Sequence, residues 1–212
     1  MTTRTIAVVS AGLSDPSSTS LLAERLAQAT TAALRDLGDD AVVEVVELRE
    51  LAHDLTNNLL TMFASERLQA AKDTVAGADG VIAVTPIFSG SYNGLFKNFF
   101  DLLEPGALDD SPVLIGATAG TARHSLALEH ALRPLFAYLR AVVVPTGVFA
   151  ASDDWGAGSQ GAASQADGGL AARIDRAAGQ LAAVIATRPR RAVDDPFALS
   201  VDFEQLLGDV ER

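Results

Sequence analysis

Thr85-Pro86-Ile87-Phe88-Ser89-Gly90-Ser91-Tyr92-Asn93-Gly94-Leu95-Phe96-Lys97-Asn98-Phe99-Phe100-Asp101 is the stretch on which the fold of this chain turns. It follows an apolar strand candidate at residues 81–84 and runs into an amphipathic helix that starts near Asn93. Ligands of open α/β sheets bind beyond the carboxyl ends of strands, so a small, polar, aromatic turn here is a binding-loop candidate. Pro86 stiffens the turn, Gly90 and Gly94 let backbone approach a planar ligand, and Phe88 and Tyr92 offer flat surfaces beside it. The plain alternative is a strand-to-helix connector whose aromatics cap the core.

Outward from this stretch, the same alternation of strand, loop and helix recurs. Thr5-Ile6-Ala7-Val8-Val9 is a continuous apolar run of the kind expected of a strand buried on both faces. Behind it stands Ser10-Ala11-Gly12-Leu13-Ser14-Asp15-Pro16-Ser17-Ser18-Thr19-Ser20, then Leu22, Leu26, Ala29, Ala33 and Leu37 at helical spacing. Hydroxyls and free amides at a helix start can hold a phosphate, and so many hydroxyls exceed what one helix cap uses. The loop lacks both Gly-x-x-x-x-Gly-Lys-Ser/Thr and Gly-x-Gly-x-x-Gly, which favours a monophosphate over a triphosphate or dinucleotide.

Residues 41–48 form a second strand that Glu44 and Glu47 mark as an edge, and 51–62 read as either a short helix or an excursion lining a cleft. Leu68, Ala71, Val75 and Ala78 give a helix ahead of the third strand. Residues 112–117 form the fourth strand, followed by a second small-residue loop, Thr118-Ala119-Gly120-Thr121-Ala122-Arg123-His124. Leu128, Leu132, Leu135 and Leu139 line a helix that Pro134 is expected to kink; residues 141–144 form the fifth strand, and Ile174, Ala178, Leu181 and Ile185 a last helix. Five strands alternating with helices predict a doubly wound α/β sheet, with order 2-1-3-4-5 or 3-2-1-4-5 left open by periodicity.

Composition narrows the partners. A formal charge of −11 disfavours nucleic acid and anionic membrane surfaces. The apolar runs are too short for a membrane span, and no separate apolar leader precedes the first strand, so a cytoplasmic location is expected. There is no cysteine, which excludes thiolate chemistry, and His53, His124 and His130 are too dispersed for a metal site. Arg188-Pro189-Arg190-Arg191 reads as a solvated or subunit-contacting run, and Lys97 with Asp101 as a surface ion pair. Residues 150–169, which include the single tryptophan, Trp155, read as a mobile excursion. The tail at 187–212 carries Phe197, Leu199, Val201, Phe203, Leu206 and Leu207, which a partner subunit could cover.

The Ser/Thr-rich loop after the first strand, Thr-Pro-x-Phe-x-Gly-Ser-x-x-Gly-x-x-Lys-Asn-x-x-Asp after the third and Thr-Ala-Gly-x-x-x-His after the fourth together resemble the NAD(P)H-dependent FMN reductases of flavodoxin-like fold. The resemblance covers residues 4–186 and includes Leu132-Arg133-Pro134-Leu135. The run from Val148 to Gly156 is similar to actinobacterial reductases that supply reduced FMN to luciferase-like monooxygenases. The family implies a flavodoxin-like five-stranded parallel sheet of order 2-1-3-4-5, one domain at 1–186 and a tail at 187–212. It also implies FMN with NADPH or NADH, a monooxygenase partner, and a homodimer or homotetramer whose flavin sites the tail or a neighbour's Trp155 segment could close.

Carried over by residue, the resemblance puts Ser10, Ser17, Ser18, Thr19 and Ser20 around the FMN phosphate. Pro86, Ile87, Phe88, Ser89, Gly90 and Ser91 would lie along the isoalloxazine, and Thr118, Ala119, Gly120 and Thr121 at its pyrimidine end. His124 is a further candidate flavin contact, with a capping or surface role as its alternative. Many members carry an arginine in the first loop where this chain has Asp15, which puts NADPH preference in doubt. Hydride transfer between two cofactors requires no catalytic acid, base or nucleophile, and none is assigned. A quinone or azo-compound reductase that retains its FMN, and a flavodoxin-type electron carrier, are the alternative functions.

Overall fold

A computed structural model describes residues 2–155 and 169–191 of the chain. In order, they form β1 (Thr3–Ser10), α1 (Ser18–Asp36), β2 (Asp40–Glu47), a 3-10 turn (Leu48–Leu51), α2 (Ala52–Thr61), α3 (Glu66–Gly77), β3 (Gly80–Phe88), β4 (Ser91–Tyr92) and α4 (Gly94–Asp101). There follow β5 (Pro112–Ala119), a 3-10 turn (Ala122–His124), a π-helical turn (Leu128–Leu132) running into α5 (Arg133–Tyr138), β6 (Val142–Val143), β7 (Val148–Ala151), a 3-10 turn (Ser152–Trp155) and α6 (Gly169–Ala186).

The sheet follows the path β2-β1-β3-β5-β6, with every neighbouring pair parallel. Two short strands lie off this path: β4 pairs antiparallel with β3, and β7 pairs parallel with β5. Among the described residues the expected count of five is thus corrected to seven; β5 and β6 are the expected fourth and fifth strands, so the path keeps the expected succession 2-1-3-4-5, and the two short strands are the departures. Both departures have local causes. Ser89 and Gly90 take positive φ values of 49° and 84°, so the chain reverses in a two-residue hairpin and adds β4 where a loop was expected. The last strand is broken because β6 pairs with Pro112 and Val113, β7 with residues 116–119, and Pro145 between them has no N–H to give the ladder.

β1, β3 and β5 are almost wholly buried, as their unbroken apolar runs require. On one face α1 and α6 cover them through Leu22, Leu26, Ile174, Leu181 and Ile185. The other face carries α2, α3, α4 and α5, with Phe96, Phe100 and Phe136 in mutual contact and Phe99 against Phe100, at centroid separations of 4.8–6.2 Å. Each of these rings contributes roughly 1.5–3 kcal/mol by burial alone. β2 is the edge that Glu44 and Glu47 predict, exposed through its middle.

The undecided stretch 51–62 is mainly the helix α2, held by Leu55 and Asn58. In α1 the buried face runs through Leu22, Leu26, Thr30 and Leu34, so Leu37 falls outside it and stands exposed as the C-cap. The helix expected over 128–139 departs from regular α geometry just before Pro134, where a π-helical turn runs into α5. Pro134 itself sits in the first turn of α5, where a missing N–H is tolerated.

The basic run is also corrected: two of its arginines dock on their own chain. Arg188 donates to the carbonyl of Asp110, while Arg191 bonds Ser111 Oγ and, at 2.8 Å, the carbonyl of Ala107. Its amide meets Asp79 Oδ1 at 2.9 Å, and Arg4 reaches the carbonyl of Arg188. Lys97 and Asp101 pair on the surface as expected. Among the described residues, no helix is long and apolar enough to cross a membrane. Most of the expected excursion, at 156–168, and the apolar tail residues, Phe197 onward, lie outside the described residues.

Candidate functional site

Three chain segments meet at the carboxyl end of the sheet. β1 ends at Ser10, and the loop behind it rises to α1, whose N-cap Ser17 accepts the amide of Ser20 at 3.2 Å. That leaves the amides of Ser18 and Thr19, in the first turn, without an intrahelical acceptor. Thr19 Oγ1 and Thr118 Oγ1 are 2.8 Å apart and buried, which ties this turn to the end of β5. Ala11 N donates to the carbonyl of Val84, tying the same loop to β3.

Asn93 completes the frame. Its Nδ2 donates to the carbonyl of Ala11 at 2.8 Å, its Oδ1 caps α4 by accepting Phe96 N at 2.9 Å, and its own amide donates to Thr85 Oγ1. Gly12 is held close by the same loop, since a Cβ there would fall 2.2 Å from Ser17 Oγ.

Between these segments lies a cleft of about 310 Å³. Its walls are Leu13, Ser14, Ser17, Ser18 and Thr19 from the first loop and α1, Pro86, Ile87 and Phe88 from β3, Thr118, Ala119 and Gly120 from β5, and Ser152 and Trp155. Nine residues expected at the site therefore line one hollow. Six do not: Ser89, Gly90 and Ser91 shape the hairpin at its rim, and Thr121 caps the following 3-10 turn by accepting Arg123 N. Ser10 Oγ and Ser20 Oγ bond each other at 3.0 Å; Ser20, whose Oγ also donates to Glu47 Oε2 at 3.3 Å, lines an adjoining hollow that shares Ser14 and Ser17, while Ser10 is buried and lines neither. His124 is exposed on its turn and lines neither hollow.

Trp155 enters the wall from its own chain. Arg173 of α6 donates to the carbonyl of Phe149 at 2.6 Å and to Asp154 Oδ1 at 2.7 Å, while Asp154 Oδ2 accepts Ala151 N. This clamp folds the turn Ser152–Trp155 over the cleft, and Arg25 of α1 stands 5.0 Å from the Trp155 ring centroid. Among the described residues, no group of three or more His, Asp or Glu side chains is placed to hold a metal ion.

Residues 4–156 match the family model described as NADPH-dependent FMN reductase. The chain belongs to that family. It is 40% identical over 152 residues to FMN reductase (NADPH) of Pseudomonas aeruginosa, covering 71% of this chain and 78% of that one. It is 38% identical over 147 residues to the NADH-dependent FMN reductase SfnE of Pseudomonas putida, covering 68% of this chain and 75% of that one.

Among solved structures, an oxidoreductase from Corynebacterium diphtheriae superposes with a TM-score of 0.82 at 47% identity, over 89% of this chain and all of that one. An NADH:FMN oxidoreductase, EMOB, in its apo form superposes with a TM-score of 0.70 at 26% identity, over 91% and 96%.

For a member of the FMN reductase family, the donor set of the cleft is chemically apt. A phosphate monoester needs clustered donors, which the first turn of α1 supplies, and a tricyclic ring needs a flat wall with backbone at its polar edge. Residues 86–88 and 118–120 line the cleft from the ends of β3 and β5.

Proposed function

We propose that this protein is an NAD(P)H-dependent FMN reductase that works in the cleft between α1, β3 and β5. The observation that carries the reading is continuity: the first turn of α1, the end of β3 and the end of β5 line a single hollow. In this reading the amides of Ser18 and Thr19 and the hydroxyls of Ser17 and Ser18 hold the phosphate. Pro86, Ile87 and Phe88 lie along the ring, and Thr118, Ala119 and Gly120 meet its pyrimidine edge. Bound there, FMN would supply the chemistry by accepting hydride from the nicotinamide. The chain's own work is orientation, through walls that Asn93 and the Thr19–Thr118 bond hold at fixed separation.

The reduced flavin leaves for a monooxygenase in this proposal, a role that suits an open cleft rimmed by Phe88, itself 51% exposed. Self-association into a dimer or tetramer belongs to the same reading. It is supported by Leu60, Met62 and Phe63, which are 77–81% exposed at the end of α2.

Steady-state oxidation of NADH and of NADPH, with FMN, FAD, riboflavin or a quinone as acceptor, tests the activity. Turnover with FMN is expected. Turnover confined to quinone, with FMN retained through gel filtration, would establish the quinone-reductase alternative instead.

A further inference from the structure

Glu47 ends the edge strand β2 and turns toward α1, where its Oε2 accepts the Ser20 hydroxyl at 3.3 Å. Ser20 is in the first turn of that helix, and its hydroxyl also contacts buried Ser10 Oγ. A carboxylate is therefore already held beside the helix N-terminus that would receive a phosphate. Glu44, three residues earlier, points the other way and accepts Thr74 Oγ1 of α3. The hollow beside Glu47 is bordered by three carboxylates, Asp15, Glu47 and Glu50, and by one cation, Arg49. It shares Ser14 and Ser17 with the cleft.

We propose that Glu47 is an affinity-setting residue, a built-in anion at the first turn of α1 that weakens the hold on the FMN phosphate and makes the flavin exchangeable. Two effects act together. The Glu47 charge uses part of the favourable field of the helix N-terminus, and it repels a dianion within a few ångströms of the same turn. It also keeps the Ser20 hydroxyl as a donor to itself, so that hydroxyl is withheld from the phosphate. The Glu47 role rests on the phosphate placement in the reductase reading, and it specifies how that site treats its substrate: as a flavin that comes and goes between turnovers.

The contrast between FMN and riboflavin, which lacks the phosphate, isolates the effect. Dissociation constants for both flavins are measured by fluorescence titration with the wild type, Glu47→Gln and Glu44→Gln, with thermal melting to verify folding. Glu47→Gln removes the charge and retains an acceptor for Ser20. It is expected to tighten FMN about tenfold, the change that roughly 1.4 kcal/mol produces, with riboflavin within about twofold of wild type. Glu44→Gln, the control on the opposite face, is expected to change neither.

An unchanged ratio of FMN to riboflavin affinity in Glu47→Gln, in a protein that still reduces FMN, overturns the Glu47 role and leaves the reductase reading standing. So does an equal gain for both flavins. A wild type that reduces no flavin defeats the reductase reading and the Glu47 role with it.

Discussion

Asn93 Nδ2 and the carbonyl oxygen of Ala11 are 2.8 Å apart, across 82 residues of sequence. This bond joins the loop after β1 to the start of α4, and with it the two walls between which the flavin is proposed to lie. Asn93 is also the N-cap of α4, so one buried side chain sets a helix start and the width of a cleft.

Asn93→Ala should therefore impair stability and flavin binding together. Loss of the cap costs about 1 kcal/mol, and a buried carbonyl left without its donor costs about 1–3 kcal/mol more. Asn93→Asp keeps a capping oxygen but sets a second acceptor against the buried Ala11 carbonyl, so it should recover little of the stability and leave FMN affinity reduced. Urea unfolding alongside FMN titration measures both; full FMN affinity in Asn93→Asp would mean that the Ala11 bond does not set the site.

How much of this could be read from the chain depends on the range of the interactions. Apolar runs at 5–9, 81–84 and 112–117 marked the three central strands because a strand buried on both faces admits little else. The helix start near Asn93 was visible for an equally local reason. The hairpin at Ser89-Gly90 and the break at Pro145 had signals, a two-residue small-residue turn and a missing N–H, that periodicity alone passes over. The diversion of Ser20 to Glu47, the bond from Asn93 to Ala11 and the folding of Trp155 into the cleft wall had none. Each depends on residues brought together by the sheet across 19 to 82 positions.

Gly12→Ala tests the close approach in the first loop. The new Cβ would fall 2.2 Å from Ser17 Oγ and displace the cap of α1. A lost cap corresponds to about 1 kcal/mol of stability. Because the displaced turn is the proposed phosphate site, FMN should weaken more than riboflavin; equal weakening of the two would move the phosphate elsewhere.

At Gly90 the constraint is conformational. The residue has φ +84°, and a Cβ there meets nothing within 4 Å, so crowding is absent and strain is not. Gly90→Val is expected to lose about 1–2 kcal/mol locally and to shift the rim of the cleft. Flavin binding should fall sharply with little change in the melting of the core. Gly90→Asn, which tolerates this region better, should restore most of it. A valine variant that binds FMN normally would show that the hairpin has no part in the site.

The amino-terminal strand has a pH signature. Asp39 is held below the usual carboxylate range first by the side-chain hydrogen bond from Arg4 and then by the amide of Thr2. A depressed folded-state value means that its contribution is complete above the ordinary carboxylate range and is lost as the pH falls through the lowered value. Asp39→Asn should therefore lower the melting temperature at about pH 7 and have progressively less effect as the pH falls below the ordinary carboxylate value of about 4, where the wild type loses the same contribution. Melting curves across that range check it; an offset that is the same at every pH would exclude a charge effect.

Trp155 makes the site observable directly, because it is the single tryptophan of the chain and it lines the cleft. A flavin bound between α1 and the ends of β3 and β5 would lie within contact range of the indole, so its emission should be quenched in a saturable way as FMN is added. Trp155→Phe should retain binding with a modest loss, since an aromatic wall remains. Trp155→Ala should weaken FMN by about 0.5–1.5 kcal/mol if the indole packs on the ligand. Asp154→Ala provides the structural control. It removes the partner of Arg173 and the acceptor for Ala151 N, so the turn is released while Trp155 itself is unchanged. Quenching by FMN should then decline together with affinity. If the wild-type indole is not quenched while flavin fluorescence reports full binding, the ligand lies outside this cleft and the assignment of its walls fails.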